Sequence, residues 1–214
     1  MAGTTARLCA QLPPAADVSY AAVVRRPLDA FRRPGSGRIA RFGLVNVNGV
    51  DMLFAVRGIS CDARWLHVQL PLRPNGVTGW VRADRVRRIA VRTRIVVDLS
   101  ERAVRFYKRG KLVLQSRAAI GAAATPTPLG RYYINQRLIP SDPGGPFGPG
   151  AIGISAFSPV LTGWTQGGPV AIHGTNEPWS IGHAVSNGCI RVPNAVDRKL
   201  FWQAPAGTPV IIRR

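Results

Sequence analysis

The chain has 214 residues, of which 46% are hydrophobic, 23 are glycine and 18 are proline. This length suits one large domain or two small ones, and abundant glycine and proline without long helical periodicity favours a mainly β protein. The formal net charge is +19, carried almost entirely by arginine. A surplus of this size attracts polyanions, which include nucleic acids, anionic wall polymers and membrane surfaces.

Several function classes are disfavoured by what the sequence lacks. No apolar stretch is long enough to span a bilayer, and no residues have the spacing of a metal site. No aromatic string or basic recognition helix of the kinds that bind nucleic acids is present. We therefore expect no metal, no organic cofactor and no specific nucleic-acid partner, with the arginines covering a solvated surface.

The N-terminal residues 1–24 are predicted to form a tail, because Pro13, Pro14 and the small residues around them have no usable period. Residues 1–16 contain neither a basic region nor an apolar core of an export signal. The three cysteines are too few for a dense disulfide framework. One bridge between Cys9 and Cys61 is possible and would leave Cys189 free.

Residues 25–90 are predicted to form a small β barrel. Short apolar runs alternate there with Asn48-Gly49, Arg57-Gly58 and Asn75-Gly76, and Asn-Gly between apolar runs is a strong hairpin signal. The stretch from Trp65 to Arg82 also resembles bacterial SH3-like modules. That resemblance implies an SH3-like domain over residues 25–90.

A second β unit is predicted over residues 94–214, closing with the one clear helix and a last strand. The helix should span residues 194–203, with Asn194 as its N-cap and Asp197 three residues on, close to a capping box. Residues 136–150 are rich in proline and glycine and should form a loop, which is often a lid or a substrate wall. The predicted strands are Ile95–Leu99, Val104–Tyr107, Leu112–Leu114, Ile152–Ser155, Val170–Ile172 and Thr208–Ile212.

A histidine and a cysteine, His173 and Cys189, follow one another within a short segment, each beside a glycine. A thiol is a strong nucleophile only as thiolate, and a nearby imidazole can take its proton. Gly188 would allow a tight turn that aims the amides of Gly188 and Cys189 at one point, as an oxyanion hole requires. The alternative is a buried structural cysteine with apolar neighbours.

The full strings favour catalysis. His-Gly-Thr-Asn at 173–176 and Ser-Asn-Gly-Cys-Ile-Arg at 186–191 resemble the signature of the L,D-transpeptidase (YkuD-like) catalytic domain. The hairpin over residues 94–114 and the Thr-Pro string from Thr125 to Ile134 are similar to the same family. The resemblance extends over residues 94–214 and implies a β-rich L,D-transpeptidase (YkuD-like) catalytic domain preceded by the SH3-like barrel.

The resemblance also implies roles for individual residues. Cys189 would be the nucleophile, His173 the general base, and the carbonyl of Gly174 the group that orients the imidazole. Arg191 would either bind a substrate carboxylate or brace the loop. By strand alternation one of the neighbouring tyrosines Tyr132 and Tyr133 should be core, while the other lines the cleft. The positions expected around the oxyanion and the substrate are Gly188, Asn187, Ser186, Arg191, Thr175, Asn176 and Tyr133.

The implied substrate is a peptidoglycan stem peptide, handled outside the cytoplasm by a monomeric enzyme that also meets anionic wall polymers. An amine acceptor gives a 3→3 cross-link, whereas water makes the protein an L,D-carboxypeptidase. The family usually has a second histidine where this chain has Asn187. An amide keeps hydrogen bonding but cannot titrate, so a slower enzyme or a catalytically weak wall-binding protein is the alternative.

Overall fold

The N-terminal part of this computed structural model is one antiparallel sheet, and the structure describes residues 8–11 and 18–214 of the chain. The strands are β1 (Leu8–Gln11), β2 (Ser19–Val24), β3 (Leu28–Arg33), β4 (Ser36–Phe42), β5 (Leu53–Ser60), β6 (Trp65–Gln69), β7 (Thr78–Arg82) and β8 (Val86–Val91). Their order in the sheet is β4-β3-β7-β6-β5-β2-β8, with β1 also paired to β5.

The prediction of a tail over residues 1–24 is wrong for residues 8–11 and 19–24, which form strands β1 and β2. Strand β2 lies between β5 and β8 and buries four consecutive residues, Ala21 to Val24. A strand covered on both faces shows no alternation, so its short apolar run carried no period to detect. Strand β1 pairs with β5, and Cys9 forms the disulfide with Cys61 that the sequence allowed. Residues 1–7 and 12–17 of the predicted tail lie outside the described part.

The C-terminal part contains a second eight-stranded sheet, a two-stranded sheet and a helix. The elements are β9 (Thr93–Asp98), β10 (Ala103–Lys108), β11 (Lys111–Arg117), β12 (Ile120–Gly121), β13 (Gly130–Leu138), β14 (Ala151–Phe157), β15 (Pro169–His173), β16 (Ala184–Ser186), β17 (Ile190–Arg191), α1 (Asn194–Gln203) and β18 (Pro209–Arg213). The strand order of the larger sheet is β11-β10-β9-β18-β13-β14-β15-β17, and β12 pairs with β16. The predicted mainly β fold is confirmed, and α1 is the one α-helix of the described residues.

The predicted bounds of the helix, residues 194–203, are confirmed, but the prediction that Asn194 is its N-cap is wrong. Pro193 occupies the N-cap position and makes no side-chain cap. The Asn194 carboxamide instead accepts a hydrogen bond from the Thr175 amide at 2.7 Å. Asp197 is fully buried, and its carboxyl makes no hydrogen bond to the N-cap residue, so the capping box is not formed. Both side chains are drawn toward the loop after β15, which the helix supports.

The two units share a small apolar core. Tyr133 on β13 packs with Ala21, Val23, Leu53 and other residues of the N-terminal sheet, and its hydroxyl donates to the Leu53 carbonyl at 3.2 Å. Tyr133 is 0% exposed. Its predicted place on the wall of the substrate cleft is therefore wrong, because strand alternation turned it toward the other unit.

Membrane-spanning helices and metal clusters are both missing from the described ranges. None of the helices there is long and apolar enough to cross a bilayer. No group of three or more potential metal ligands occurs in the same residues.

Candidate active site

Two adjacent parallel strands bring His173 and Cys189 together. Strand β15 ends at His173, and β17 begins one residue after Cys189. The register pairs Ile172 with Ile190 and His173 with Arg191. Both strands are buried at the centre of this register, since Ile172 and Ile190 are fully covered. The predicted strand before His173 is confirmed, and the pairing of β15 with β17 holds His173 near the turn that contains Cys189.

The His173 imidazole is buried and has a defined tautomer. Its Nδ1 lies 2.6 Å from the carbonyl oxygen of Gly174, and because a carbonyl can only accept, Nδ1 carries the proton and Nε2 is left as the acceptor. Burial lowers the pKa of His173 to about 4, aided by the charge of Arg191 and opposed by the Gly174 carbonyl. The orienting role predicted for Gly174 is therefore matched by this geometry.

The Cys189 thiol is free and half-buried. Its Sγ accepts a hydrogen bond from the Ala171 amide at 3.4 Å. Burial raises the pKa of Cys189, while the Ala171 N–H and the charge of Arg191 act in the opposite direction. With the pKa of His173 lowered, the resting pair is a thiol and a neutral imidazole. The base is thus ready to accept the proton when the thiol attacks.

The turn before Cys189 is built by Ser186 and Gly188. Gly188 has φ of +106°, which strains any other residue, so the turn predicted there is present. The Ser186 hydroxyl donates to the Cys189 carbonyl and accepts from the Gly188 amide at 3.2 Å. The Gly188 amide is therefore already satisfied inside the turn, against its predicted place among the oxyanion donors. Asn187 is exposed at the tip.

The loop after His173 serves as a brace. Arg191 forms an ion pair with Glu177, which favours bracing over the alternative of binding a substrate carboxylate. Thr175 is buried, and its hydroxyl accepts from the Glu177 amide at 3.0 Å. Asn176 is exposed. Of the residues predicted to contact substrate here, Thr175 and Arg191 hold the loop in place instead.

Cys189 opens into a cavity of about 790 Å³. One wall is the loop predicted from residues 136–150, which begins only after β13 ends at Leu138. Phe147 of this loop stands edge-on to His173 with ring centroids 5.0 Å apart. The lining carries no charged side chain among the described residues and comprises Asn48, Gln136, Leu138, Ile139, Pro140, Phe147, Ala151, Gly153, Gly163, Trp164, Thr165, Gln166, Pro169, Val170, Ala171 and Cys189.

Comparison with known protein families identifies the domain that contains His173 and Cys189. The family model described as the L,D-transpeptidase catalytic domain, YkuD, matches residues 92–212, which is more than half of the chain. The chain belongs to the L,D-transpeptidase family. The resemblance expected for the C-terminal unit is thereby confirmed, and the match includes both His173 and Cys189.

Two curated relatives match the same region. YkuD of Bacillus licheniformis, which carries an L,D-transpeptidase name, is 42% identical over 119 residues, 56% of this chain and 64% of that protein. YkuD of Bacillus subtilis is 37% identical over 120 residues, 56% of this chain and 65% of that protein. The chain thus spans slightly less than two thirds of the length of these relatives.

Solved structures of L,D-transpeptidases are also similar to this chain. One from Enterococcus faecium is 29% identical with a TM-score of 0.42, covering 56% of this chain and 49% of that one. One from Mycobacterium smegmatis is 18% identical with a TM-score of 0.45, covering 71% of this chain and 78% of that one.

A buried carboxyl, that of Asp197, lies behind Gly174, the residue that follows strand β15. Both oxygens of Asp197 are buried without a hydrogen bond of good geometry, although the amides of Gly150 and Gly174 face the carboxyl. Burial raises the pKa of Asp197 to about 7, and those two amides only partly offset the effect. Close packing continues beside it, because a Cβ at Gly174 would lie 2.3 Å from the Asn194 Oδ1.

Sequence reasoning missed several residues of the site. Asn48 was predicted only as a hairpin turn, yet it borders the cavity together with Gln166 and Trp164. The proline- and glycine-rich loop did signal the wall that Phe147 forms. No sequence pattern marked Trp164 or Gln166, since neither lies in a string that resembles the family signature.

Proposed function

We propose that this chain is a peptidoglycan L,D-transpeptidase that forms 3→3 cross-links through a thioester on Cys189. Two observations carry the proposal: a free thiol at Cys189 stands one residue before β17, and the paired strand β15 ends in a neutral imidazole whose protonated nitrogen donates to the Gly174 carbonyl. Cys189 borders a cavity that is large enough for a peptide segment, and Phe147, which lines the same cavity, lies against His173. Family membership supports the substrate class.

Acylation begins when Nε2 of His173 accepts the Cys189 proton as Sγ attacks the carbonyl of the third stem residue. The negative charge that develops on the carbonyl oxygen needs backbone donors, and one such donor lowers the barrier by roughly 3 kcal/mol. We assign this role to the Cys189 amide, because Gly188 already donates to Ser186. Collapse breaks the amide bond, and His173 returns its proton to the departing D-alanine amine.

Deacylation repeats the same proton movements with a new nucleophile. The side-chain amine of diaminopimelate on a second stem attacks the thioester carbonyl, and His173 accepts one of its protons. The C–S bond breaks and the proton passes to the Cys189 thiolate, which restores the resting thiol. Water in place of the amine would release a tripeptide acid, which is the carboxypeptidase outcome.

Location outside the cytoplasm is part of this proposal. The Cys9–Cys61 disulfide supports it, because disulfides persist in oxidising compartments. The net charge of +19 would favour contact with anionic wall polymers. We also propose an SH3-like assignment for the N-terminal unit, on the resemblance of the stretch from Trp65 to Arg82.

The decisive experiment uses a disaccharide-tetrapeptide with diaminopimelate at its third position. Protein and products are followed by mass spectrometry, with Cys189→Ala as the control. We expect an acyl-enzyme, free D-alanine and a cross-linked dimer, all absent from the control. Tripeptide without dimer would replace the proposal by the carboxypeptidase. No acyl-enzyme and no product would overturn the catalytic proposal and favour the wall-binding alternative.

A further inference from the structure

One wall of the cavity is an irregular segment, residues 158–168, which we call the cavity loop. Gly163, Trp164, Thr165 and Gln166 of this loop border the cavity that contains Cys189. The loop has a single 3-10 turn, Thr165–Gly167, and Gln166 there adopts a left-handed backbone with φ of +58°. Trp164 is 54% exposed. The loop is therefore in place beside the thiol without a strand or helix to hold it.

Few hydrogen bonds within the cavity loop join its first residues to its last ones; we call these two ends the base of the loop. The Ser158 amide donates to the Gly168 carbonyl at 2.8 Å, and the Ser158 hydroxyl accepts from the Leu161 amide at 3.1 Å. Leu161 is only partly buried, and Val160 is exposed. Because little apolar surface is covered inside the loop, its own packing contributes little to a fixed position.

The N-terminal unit holds this base with two side chains. Asn75 accepts from the Phe157 amide and donates to the Phe157 carbonyl, both at 2.8 Å. The Arg73 guanidinium donates to the Ser158 carbonyl at 2.8 Å and to the Gly167 carbonyl at 3.2 Å. It also lies 5.3 Å from the centroid of the Phe157 ring. Arg73 thus joins the first residues of the cavity loop to its last ones.

A second contact holds the loop farther along. The Gln166 amide donates to Asn48 of the N-terminal unit at 3.0 Å. Asn48 also donates to Gln136 on β13 at 2.9 Å, and Asn46 donates to the same oxygen of Gln136 at 2.8 Å. The three amide side chains Asn48, Gln136 and Gln166 all border the cavity. The N-terminal unit therefore supports the loop at its base and beside Trp164.

We propose that Arg73, with Asn75, is a positioning residue for the acyl donor, holding the cavity loop as the wall against which the stem peptide binds. The inference rests on the proposed function for its substrate, but the placement of the loop is a property of the chain. The fork of the guanidinium suits two carbonyls at once, which a lysine ammonium cannot match in geometry. The N-terminal unit then completes the active site in addition to any wall-binding role.

The test compares Arg73→Ala, Arg73→Lys and Asn75→Ala in the full chain. The matched control is Arg38→Ala, which removes an exposed arginine of the same unit whose ion-pair partner is Asp29. For each variant we would measure hydrogen exchange of residues 158–168, KM and kcat on the tetrapeptide donor, and alkylation of Cys189 by iodoacetamide.

For Arg73→Ala we expect exchange in the cavity loop to rise about tenfold, with the strands β15 and β17 unchanged. KM for the donor should rise about fivefold while kcat changes less than about twofold, because ground-state binding is lost and the chemistry is kept. Alkylation by the small reagent should be unchanged. Arg73→Lys should show nearly the same rise in loop exchange and KM as Arg73→Ala. Asn75→Ala should show a smaller rise in both quantities, and Arg38→Ala should match the wild type.

Unchanged exchange in the loop, or a fall in kcat with unchanged KM, would overturn the proposal. A uniform rise in exchange across both sheets would also overturn it, since Arg73 would then stabilise the whole fold. If the wild type proves inactive on the stem peptide, the proposed function fails, yet hydrogen exchange of residues 158–168 still decides whether Arg73 holds the loop. If Arg73→Ala fails to fold, Arg73→Lys and Asn75→Ala supply the same comparison.

Discussion

The two sides of the Cys189 cavity are built in different ways. On one side, His173 ends β15 and Cys189 comes one residue before β17, and their hydrogen-bond partners Gly174 and Ala171 are near in sequence. On the other side, the cavity loop is held by Arg73, whose contacts cross more than eighty positions of the chain. The thiol and the imidazole are thus held by nearby residues, whereas the cavity loop is supported by a different unit. Changes on the first side should affect catalysis and folding, and changes on the second should affect binding.

The largest effect is expected on the catalytic side, from His173→Gln. Glutamine keeps a hydrogen-bonding group but cannot accept the thiol proton, so kcat for transpeptidation should fall about a thousandfold. Steady-state rates with the tetrapeptide donor measure this. Gln166→Ala on the loop side provides the contrast and should leave kcat nearly unchanged. An equal loss of kcat in both variants would break the distinction between the two sides.

A pH-dependent effect is expected from Asp197→Asn. The pKa of Asp197 is raised to about 7 from 3.8, so the folded state favours the protonated acid and the carboxyl costs stability as pH rises through that window. The loss is on the order of 4 kcal/mol between pH 4 and pH 8. His173 acts in the opposite direction, because its pKa is lowered to about 4 and stability from its neutral form grows up to the unfolded pKa near 6.5.

Urea unfolding of the wild type and Asp197→Asn at several pH values separates the two contributions, since His173 is present in both. We expect the stability of the variant relative to the wild type to increase from pH 4 to pH 8. A constant difference across this range would mean that the carboxyl is ionised at no cost, which would contradict its burial behind the catalytic loop.

A smaller effect is expected from Gly174→Ala. The added Cβ would lie 2.3 Å from the Asn194 Oδ1 and 2.8 Å from the Pro149 Cδ. Overpacking of this kind costs about 2 kcal/mol and should also displace the carbonyl that orients His173. Gly163→Ala on the cavity loop is the matched control, because a Cβ there meets nothing within 4 Å. Thermal unfolding measures the loss of stability, and steady-state kinetics measures the loss of kcat. Equal Tm and kcat values for Gly174→Ala and Gly163→Ala would contradict the prediction.

The smallest effect is expected from Asn48→Ala. It removes the hydrogen bonds to Gln136 and Gln166 but leaves the hydrogen bonds of Arg73 to the two ends of the cavity loop. KM for the donor should rise about twofold with kcat unchanged. Val47→Ala, an exposed change in the same turn, should have no effect. A KM change as large as that of Arg73→Ala would locate the main support at Asn48 instead.

The predictions from sequence succeeded where the interacting residues are close in sequence and failed where they are far apart. Cys189, His173 and Gly174 could be predicted because their string is short and their partners are adjacent. The tail, the cleft position of Tyr133 and the cap at Asn194 were wrong for a common reason. Each contacts a partner that is distant in sequence. Strand β2 and Tyr133 pack in the core that the two units share, and Asn194 accepts a hydrogen bond from the Thr175 amide. Local periodicity and propensity carry no information about such partners.

The amino-acid sequence by itself determined the mainly β fold, the bounds of the helix and the family, and it pointed to Cys189 and His173 as the candidate nucleophile and base. These depend on residue types at short spacing, where the backbone geometry of strand and turn leaves little choice. Only the tertiary structure decided that Arg191 braces Glu177, that Asp197 is buried behind Gly174, and that Arg73 reaches the cavity loop. Those contacts depend on how the sheets pack, because packing brings together groups that no local pattern relates.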